Sequence, residues 1–337
     1  MQGNVPRVSI IILNWNGWQD TIECLESIFR NDYPDYQVIL VDNGSQDGSM
    51  SHIKEWAEGR TVTAPESGEL RVFSVPPVSK PISYVEYERS QAETGGSKSD
   101  NSARLVLIRT GTNLGFAGGN NIGLRYASVK KDFAYFWLLN NDTVIRPDAI
   151  TQLVLRMTEK PDAGMCGSKT PYYHHPDRIW SLGGATYNKW LAIPSNIGLN
   201  GSFARDISVV QVEDKLDFIT GASMMVSRDF LNDVGLLCEK YFLFFEELDW
   251  ALRGKGRYKL AYAPESVVYH KVHASVGPTG KYRKYNRVAE YYMTRNSIVL
   301  TCKFYPFALP IVFPFAVVKY WLKRFALSFV FRNTEED

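Results

Sequence analysis

Several features that would suggest a function are scarce or missing in this chain of 337 residues. It has no CxxC pair and only four cysteines, which are Cys24, Cys166, Cys238 and Cys302. This argues against a zinc knuckle and a disulfide framework, and it favours reduced thiols. With 38 basic and 36 acidic side chains the formal charge is +2, so no strong overall field attracts nucleic acid, and we expect no nucleic-acid partner. Charged function must be local.

The two ends of the chain lack clear export or membrane-spanning segments. MQGNVPRVSIIILNW has no long apolar region with a small-residue cleavage site, so we expect a cytoplasmic protein. Near the other end, FYPFALPIVFPFAVV is uncharged, but as a helix it would span only about 22 Å of a hydrocarbon core of about 30 Å. The next stretch, KYWLKRFALSFVFR, has the basic and aromatic composition of a helix at a lipid headgroup boundary. A terminal helix packed on the core is the alternative.

Apolar runs alternating with helical patterns predict an α/β fold with buried parallel strands. VSIIIL ends in Asn14, Trp15 and Asn16, and VILVD ends in Asp42. LVLIR and FAYFWLLNNDT predict a third and a fourth strand. In open parallel sheets, ligands bind beyond the carboxyl ends of the strands, so the polar residues at these ends are candidate ligand contacts.

The pattern is interrupted from about residue 60 to residue 104, where Pro, Gly, Ser and charged residues dominate. We predict a partly mobile insertion there, with a short hairpin around RVFSV and ISYVEYE.

Asp142 ends a buried strand inside NNDT, where a carboxylate is costly unless a positive charge lies beside it. A divalent cation that holds a diphosphate would compensate, and oxygen ligands suit Mg²⁺ or Mn²⁺. The alternative is that Asp142 caps the next helix. His270, in VVYHKVH, is either a ligand of the same ion or a structural hydrogen-bonding residue.

The glycine-rich stretch NLGFAGGNN predicts a loop that opens into a helix and lets backbone amides approach phosphate or sugar oxygens. It is not GxGxxG after the first strand, which counts against an NAD enzyme.

The stretch FLFFEELDW places three carboxylates, Glu246, Glu247 and Asp249, directly behind an aromatic run. Apolar walls would raise the pKa of a carboxyl group there and make it a better proton acceptor. Alternatively, Glu246 and Asp249 cap the helix that follows.

Seven short segments in this order closely resemble the family-two glycosyltransferases, and their rhamnosyltransferase-like branch in particular. The segments are VSIIILNWNG, VDNGSQDGS, NLGFAGGNN, LLNNDT, TGASMMVSRDFLNDVG, FEELDWALR and VYHKVHAS. The resemblance implies a GT-A fold over residues 1–300, which is Rossmann-like with a mostly parallel central sheet and flanking helices. Residues 301–337 would form a helical, membrane-associated extension.

The same resemblance implies inverting transfer of a sugar from a nucleotide-diphosphate donor, with a divalent metal at a DxD-like element. That element reads Asn140-Asn141-Asp142 here, so an amide replaces its first carboxylate. Asp142 and His270 would bind Mg²⁺ or Mn²⁺. Glu247 would accept the proton of the acceptor hydroxyl.

Asp249 is the alternative base or an orienting neighbour, and we assign Glu246 and Trp250 to the acceptor. By the same likeness, Trp15 would lie against the nucleobase and Asp42 would bind the base or the ribose. The other residues assigned to the donor are Asn14, Asn113, Gly115, Gly118, Asn120 and Asn141.

These assignments predict a hexosyltransferase that moves rhamnose or another hexose to a glycan or lipid-linked acceptor, at the inner face of the cell membrane. One alternative is a nucleotidyltransferase, which ordinarily has a basic, glycine-rich loop after its first strand, and NWNGWQD lacks that loop. The other is a glycan-binding or scaffold protein that has kept the fold and lost catalysis.

Overall fold

The structure is a computed structural model, and it describes residues 5–61, 68–97, 103–205, 207–272 and 287–332. Within these ranges the chain forms a mixed α/β fold around one large sheet. The described strands are β1 Arg7–Asn14, β2 Tyr36–Asp42, β3 Tyr84–Glu88, β4 Leu105–Arg109, β5 Phe133–Asn140, β6 Thr143–Ile145, β7 Ala163–Pro171, β8 Ile179–Leu182, β9 Gly184–Asn188, β10 Ile193–Asn196, β11 Phe218–Ile219, β12 Ser223–Ser227 and β13 Lys259–His270. The described α-helices are α1 Trp18–Ile28, α2 Ser49–Ala57, α3 Arg89–Glu93, α4 Gly115–Val129, α5 Ala149–Glu159, α6 Val209–Glu213, α7 Arg228–Val234, α8 Glu246–Gly254, α9 Arg287–Phe304 and α10 Leu309–Arg332.

The strands follow the order β10-β9-β8-β7-β12-β5-β1-β2-β4-β3 across the sheet. Strands β3, β4, β2, β1 and β5 are parallel, whereas β12 joins β5 and β7 in antiparallel pairs. The register aligns Asn14 with Asp42 and Leu13 with Asn140. The polar carboxyl ends of β1, β2 and β5 therefore lie side by side at the same end of the sheet, as the sequence predicted.

Alternating side chains of β1 enter two different cores. Ile10 and Ile12 pack with α1, α2 and α5 on one face of the sheet. Ile11 packs with α4, α7 and α8 on the other face. A strand buried on both faces must be apolar at nearly every position, which explains the continuous run VSIIIL.

The glycine-rich segment begins α4 directly, because α4 starts at Gly115. A Cβ atom at Gly119 would overlap Leu13, and one at Gly123 would overlap Ile11. These glycines let α4 pack closely against β1, so part of the motif serves packing between the helix and the sheet.

The predicted hairpin in the 60–104 region is wrong. Residues Glu69–Phe73 form a 3₁₀-helix, and β3 instead pairs in parallel with β4 at the edge of the sheet. Leu70 explains the difference, because it is buried in a small cluster with Val144 and Val267, which draws this segment away from β3. Residues 62–67 and 98–102 of the predicted insertion lie outside the described ranges.

Helix α9 crosses the predicted boundary at residue 300, and it is packed on the main body through the buried residues Asn296 and Leu300. In the described part of the chain, no helix combines the length and the apolar character needed to cross a bilayer. Residues 273–286 and 333–337 are outside the described ranges, so the end of the VYHKVHAS segment and the last residues of the predicted extension are not described.

Candidate active site

A chain of buried hydrogen bonds connects the ends of β2, β1 and β5. Asn14 Nδ2 donates to Asp42 Oδ1 at 2.8 Å and to Ser45 Oγ at 3.1 Å. Thr21 Oγ1 donates to Asn14 Oδ1 at 2.9 Å, and Asn141 Nδ2 donates to Thr21 Oγ1 at 3.0 Å. Asn14 and Thr21 have no exposed surface. This network fixes the relative positions of three strand ends, as satisfied buried polar networks do.

Asp142 and His270 form a buried pair next to this network. Asp142 Oδ1 and His270 Nε2 are 3.2 Å apart, and the two residues are 3% and 6% exposed. Burial acts to raise the pKa of Asp142, but the charge and hydrogen bond of His270 outweigh it and lower that pKa. The ring of Trp180, on β8, meets the His270 ring edge-on at 4.7 Å between centroids.

This pair fits a divalent cation that shares ligands with a phosphate group. His270 Nδ1 is buried and has no hydrogen-bond partner. Asp142 Oδ1 is also buried, and His270 Nε2 lies 3.2 Å from it at the distance of an ion pair. Among the described residues, no three His, Cys, Asp or Glu side chains come together as a complete metal-binding group. Mg²⁺ and Mn²⁺ often take one or two protein ligands and complete their coordination with substrate phosphates and water. An Asp and a His therefore suit such an ion when a diphosphate is also bound.

The loop before α4 is held between β2 and the aromatic run. Asn43 Nδ2 donates to Asn113 Oδ1 and to the Gly115 carbonyl, both at 3.1 Å. The backbone amide of Phe116 donates to the Phe242 carbonyl at 2.7 Å. Gly115 has φ +72°, and a Cβ atom there would overlap Phe242. A glycine is therefore required for the close approach of these two segments.

The other residues predicted to contact the donor differ in exposure. Trp15 is 45% exposed and precedes Asn16, whose backbone N–H donates to Ser45 Oγ at 2.9 Å. Gly118 and Asn120 lie in the first turns of α4, and Asn120 Nδ2 donates to the Phe116 carbonyl at 2.9 Å. Their donor contacts stay predictions. The exposed ring of Trp15 suits stacking on a base.

The loop at residues 220–222 joins the end of β5 to Glu247. The backbone amide of Asn140 donates to the Ala222 carbonyl at 3.1 Å. The amide of Gly221 donates to Glu247 Oε1 at 3.2 Å. A Cβ atom at Gly221 would lie 2.6 Å from Glu247 Oε1 and 2.9 Å from the Phe116 ring. The structure therefore brings Glu247 next to the strand end that carries Asp142.

Glu246 and Glu247 open α8 in an environment that disfavours charge. Glu246 is 1% exposed and its Oε2 has no hydrogen-bond partner, whereas Glu247 is half-buried. Burial raises the pKa of Glu247, and burial together with the charge of Glu247 raises the pKa of Glu246 well above its usual range. A half-buried carboxylate with a raised pKa has the properties of a general base.

Asp249 and Trp250 lie on the other side of α8, inside the protein. Asp249 accepts hydrogen bonds from Arg253 Nε at 2.8 Å, from Lys303 Nζ at 2.5 Å and from the Tyr241 hydroxyl at 3.2 Å. The indole of Trp250 donates to the Gly235 carbonyl at 2.7 Å, and neither residue has exposed surface. Both side chains are engaged in packing α8 against its neighbours.

The aromatic run before α8 has an unusual backbone. Phe242, Phe244 and Phe245 have φ values of 64°, 68° and 75°, which is costly for residues with a Cβ atom. Asn296 Nδ2, on α9, donates to the carbonyls of Tyr241 and Leu243 at 2.8 Å, and it donates to the carbonyl of Phe244 at 2.9 Å. The amide of Asn296 stabilises this strained segment.

Some residues of the site were not predicted from the sequence. Thr21 and Gly221 lie inside or beside the recognised motifs, so their spacing to Asn14 and to the TGAS segment was a usable signal. Trp180 and Asn296 lie far from their partners along the chain, and no local pattern marks them.

The chain resembles known glycosyltransferases in sequence and in structure. Glycosyl transferase family 2 matches residues 9–74 and 93–235. The low-salt glycan biosynthesis hexosyltransferase Agl10 of Haloferax volcanii is 26% identical over 160 residues, covering 45% of this chain and 46% of that protein. The N-acetylglucosaminyl-diphospho-decaprenol L-rhamnosyltransferase of Mycobacterium tuberculosis is 25% identical over 192 residues, covering 50% of this chain and 60% of that protein. The matched region thus spans about half the length of these relatives.

Among solved structures, the mannosyltransferase PcManGT of Pyrobaculum calidifontis, in complex with GDP-Man and Mn²⁺, matches with a TM-score of 0.53. It is 14% identical, and the match covers 96% of this chain and 81% of that one. At this identity the likeness shows the fold, which confirms the predicted GT-A architecture. Since the family match extends over more than half of the chain, this protein belongs to glycosyl transferase family 2 and has the GT-A fold.

Proposed function

We propose that the protein is an inverting, metal-dependent hexosyltransferase in which Glu247 is the general base. The observation that carries this proposal is the position of Glu247, whose Oε1 accepts from Gly221 while the next residue, Ala222, accepts from Asn140 at the end of β5. That arrangement puts a carboxylate with a raised pKa beside the strand end that carries Asp142. A base at this position can take the proton of an acceptor hydroxyl as it attacks the anomeric carbon from the face opposite the leaving diphosphate.

Asp142 and His270 would hold Mg²⁺ or Mn²⁺, and this ion would neutralise the charge of the donor diphosphate when bound. The donor would lie along the ends of β1, β2 and β5. The exposed ring of Trp15 would stack on the base, and the network of Asn14, Asp42 and Asn141 would shape the floor of this site. Mn²⁺ in the PcManGT complex supports the choice of ion.

Of the two candidate bases, the geometry favours Glu247 over Asp249. Asp249 is fully buried and its two oxygens accept from Arg253, Lys303 and Tyr241, so it has no free position toward a substrate. We therefore give Asp249 a structural role between α8 and α9, and we leave Trp250 in the core. Glu246, with one oxygen unpaired beside Glu247, remains the proposed acceptor contact.

The proposed acceptor is a glycan or a lipid-linked sugar, and the proposed place of action is the inner membrane surface. The M. tuberculosis relative is named for a diphospho-decaprenol substrate, which supports a lipid-linked acceptor. Exposed apolar side chains on α10, among them Phe313, Val317 and Trp321, support peripheral contact with lipid.

A panel of nucleotide sugars, each with Mn²⁺ or Mg²⁺, tests the proposal through donor hydrolysis and thermal stabilisation. One donor should stabilise the protein in a metal-dependent way. In Glu247→Gln, turnover with that donor should fall by about 10²- to 10⁴-fold while donor affinity is kept, because the variant loses proton abstraction and not the binding network. Full turnover in Glu247→Gln would exclude it as the base, and a panel without any metal-dependent ligand would exclude the proposed function.

A further inference from the structure

A cleft of about 460 Å³ lies between the β9–β10 hairpin, the residue that follows α8 and the end of α9. Its walls include Tyr187, Trp190 and Tyr305, together with the charged residues Lys189, Asp217 and Lys255. None of these residues belongs to the strand ends that we assign to the donor. In the sheet order, β9 and β10 lie on the opposite side of β5 from β1, β2 and β4.

The cleft has an aromatic wall. The rings of Tyr187 and Tyr305 stack with their centroids 6.0 Å apart, and Trp190 meets Phe307 edge-on at 5.4 Å. Trp190 is 45% exposed and Phe307 is 57% exposed. Aromatic side chains that keep much of their surface in solvent often mark a place where a ligand supplies the missing contact.

The charges of the cleft favour an anion. Lys189 and Lys255 are both exposed, and within the described ranges neither forms an ion pair. Lys189 Nζ lies 6.0 Å from the centroid of the Trp190 ring and 5.7 Å from that of Phe307, so its charge is held beside the aromatic wall. Asp217 is the one carboxylate among the lining residues, and its Oδ2 already accepts from the Tyr187 amide at 2.7 Å. Two ammonium groups and one carboxylate therefore line the cleft, and this excess of positive charge suits a phosphate group.

Two residues of the cleft are connected to the segments that surround the proposed base. Tyr187 contacts Phe245 edge-on at 6.2 Å, and Phe245 directly precedes Glu246 and Glu247. Asp217 directly precedes β11, after which Gly221 donates to Glu247. The cleft is thus linked by two chain segments to the proposed base, and its hairpin lies across β5 from the donor strands β1 and β2.

An exposed apolar surface continues from the cleft along α10. Ala192 of the hairpin packs with Ala308 and Val312, which fixes the hairpin against the start of α10. Beyond this contact, Ile311 and Phe313 are 48% and 53% exposed. An acceptor whose phosphate occupies the cleft can therefore place an apolar chain on a surface that already extends away from the cleft.

We propose that this cleft is the acceptor subsite and that it recognises a phosphate or diphosphate carried on a lipid chain. Lys189 and Lys255 bind the phosphate oxygens, Trp190 and Tyr305 cover the adjoining part of the ligand, and the lipid chain follows α10. This assignment rests on the proposed function, because it names the acceptor of the same transfer reaction.

Farnesyl diphosphate is a suitable probe, used with the full chain in EDTA and in an Asp142→Ala background so that the donor and metal site does not retain it. Removing either lysine, as Lys189→Ala or Lys255→Ala, should raise its Kd by about tenfold, because each variant loses a charge-assisted contact. Trp190→Ala should weaken binding similarly. The matched control is Lys259→Ala, an exposed lysine paired with Asp162 and absent from the cleft lining, and it should bind normally.

Two further ligands identify what is recognised. Inorganic diphosphate should bind more weakly than farnesyl diphosphate, and farnesol, which lacks the diphosphate, should not displace the probe. Equal affinity for inorganic diphosphate, displacement by farnesol, or an unchanged Kd with an unchanged melting temperature in the variant that combines Lys189→Ala and Lys255→Ala would each overturn the assignment. Donor hydrolysis by the unmodified protein is measured in parallel, so a failed donor assay challenges the proposed function separately from the cleft.

Discussion

Glu247 and Asp249 are two positions apart in one helix, yet their surroundings are opposite. Successive residues of an α-helix are rotated by about 100°, so these two side chains leave α8 in nearly opposite directions. Glu247 meets the amide of Gly221, while Asp249 meets Arg253 and Lys303 inside the protein. At the scale of single residues, one carboxylate is thereby left half-buried beside Gly221, and the other holds the helix.

The raised pKa of Glu247 predicts the pH dependence of turnover. Burial favours the protonated form, and a base must be deprotonated to act, so kcat should fall as the pH drops through this raised pKa. The acidic limb should therefore lie above the pH of about 4.3 expected for an ordinary glutamate. A kcat profile measured at saturating donor and acceptor checks this. A limb at or below the ordinary value would argue that Glu247 is solvated or is not the base.

Asp142 and His270 predict how the protein depends on metal. Asp142→Ala and His270→Ala should each weaken metal-dependent donor binding by more than the roughly 10- to 100-fold that outer-shell changes cost at metal sites. Titration of Mn²⁺ followed by calorimetry, with and without the nucleoside diphosphate, measures this loss directly. His174→Ala, which alters another histidine outside the pair, is the control and should bind normally. Unchanged Mn²⁺ affinity in both variants of the pair would remove them from the proposed metal site.

At the scale of elements, α9 supports the proposed active site and is more than a C-terminal addition. Its Asn296 holds the three carbonyls of the aromatic segment, and its Lys303 pairs with the buried Asp249 of α8. One contact fixes the segment that leads into α8, and the other fixes the interior side of the helix. The position of Glu247 therefore depends on a helix that begins 40 residues later in the chain.

Asn296→Ala tests this dependence. Leaving buried carbonyls without donors should lower the free energy of unfolding by about 1–3 kcal/mol, as measured by urea denaturation. It should also lower kcat more than it weakens donor binding. The hydrogen bonds that join Asn14, Asp42 and Asn141 at the donor strands do not involve α9. As Glu247 becomes more solvated, the acidic limb of the kcat profile should move to lower pH.

The matched control for this prediction is Ser297→Ala on the same helix. Ser297 donates to the Thr294 carbonyl at 2.8 Å and is 7% exposed, so the change removes a hydrogen bond within α9 and leaves the aromatic segment untouched. Stability should fall while the pH profile stays in place. A pH limb that does not move in Asn296→Ala would reduce Asn296 to a purely structural residue.

What the sequence could and could not predict follows from the distance between interacting residues. The ends of β1, β2 and β5 were predictable, because a buried strand is a continuous apolar run and its end is marked by polar residues such as Asn14 and Asp42. The 3₁₀-helix at Glu69–Phe73 was not, since the burial of Leu70 depends on β6 and β13. The three carbonyls that Asn296 binds lie more than 50 residues before it, and no local pattern records such a contact.

At the scale of the whole molecule, the two C-terminal helices have different surroundings. Helix α9 is anchored in the core through Leu300. Among the described side chains of α10, Val312 and Ala316 are buried, at 0% and 6% exposed, whereas several of their neighbours are exposed. The side chains at positions 313, 317 and 321 follow an i, i+4, i+8 spacing and share one exposed face. Because this face is apolar and the sequence around it is basic, the membrane contact that we propose would involve this face of α10.

A charge on this face should therefore separate membrane binding from catalysis. In Phe313→Glu combined with Val317→Glu, sedimentation with phosphatidylglycerol vesicles should fall by at least about tenfold, since the change removes apolar burial and adds repulsion from the lipid. Hydrolysis of the donor in solution should stay within about twofold, because α9 and its contacts to α8 are unchanged. Leu155→Glu, a change at a residue 51% exposed on α5, adds charge elsewhere and should leave sedimentation nearly unchanged. Equal sedimentation of the α10 variant and the unmodified protein would mean that α10 is not the membrane contact, while a parallel loss of donor hydrolysis would mean that α10 also supports the active site.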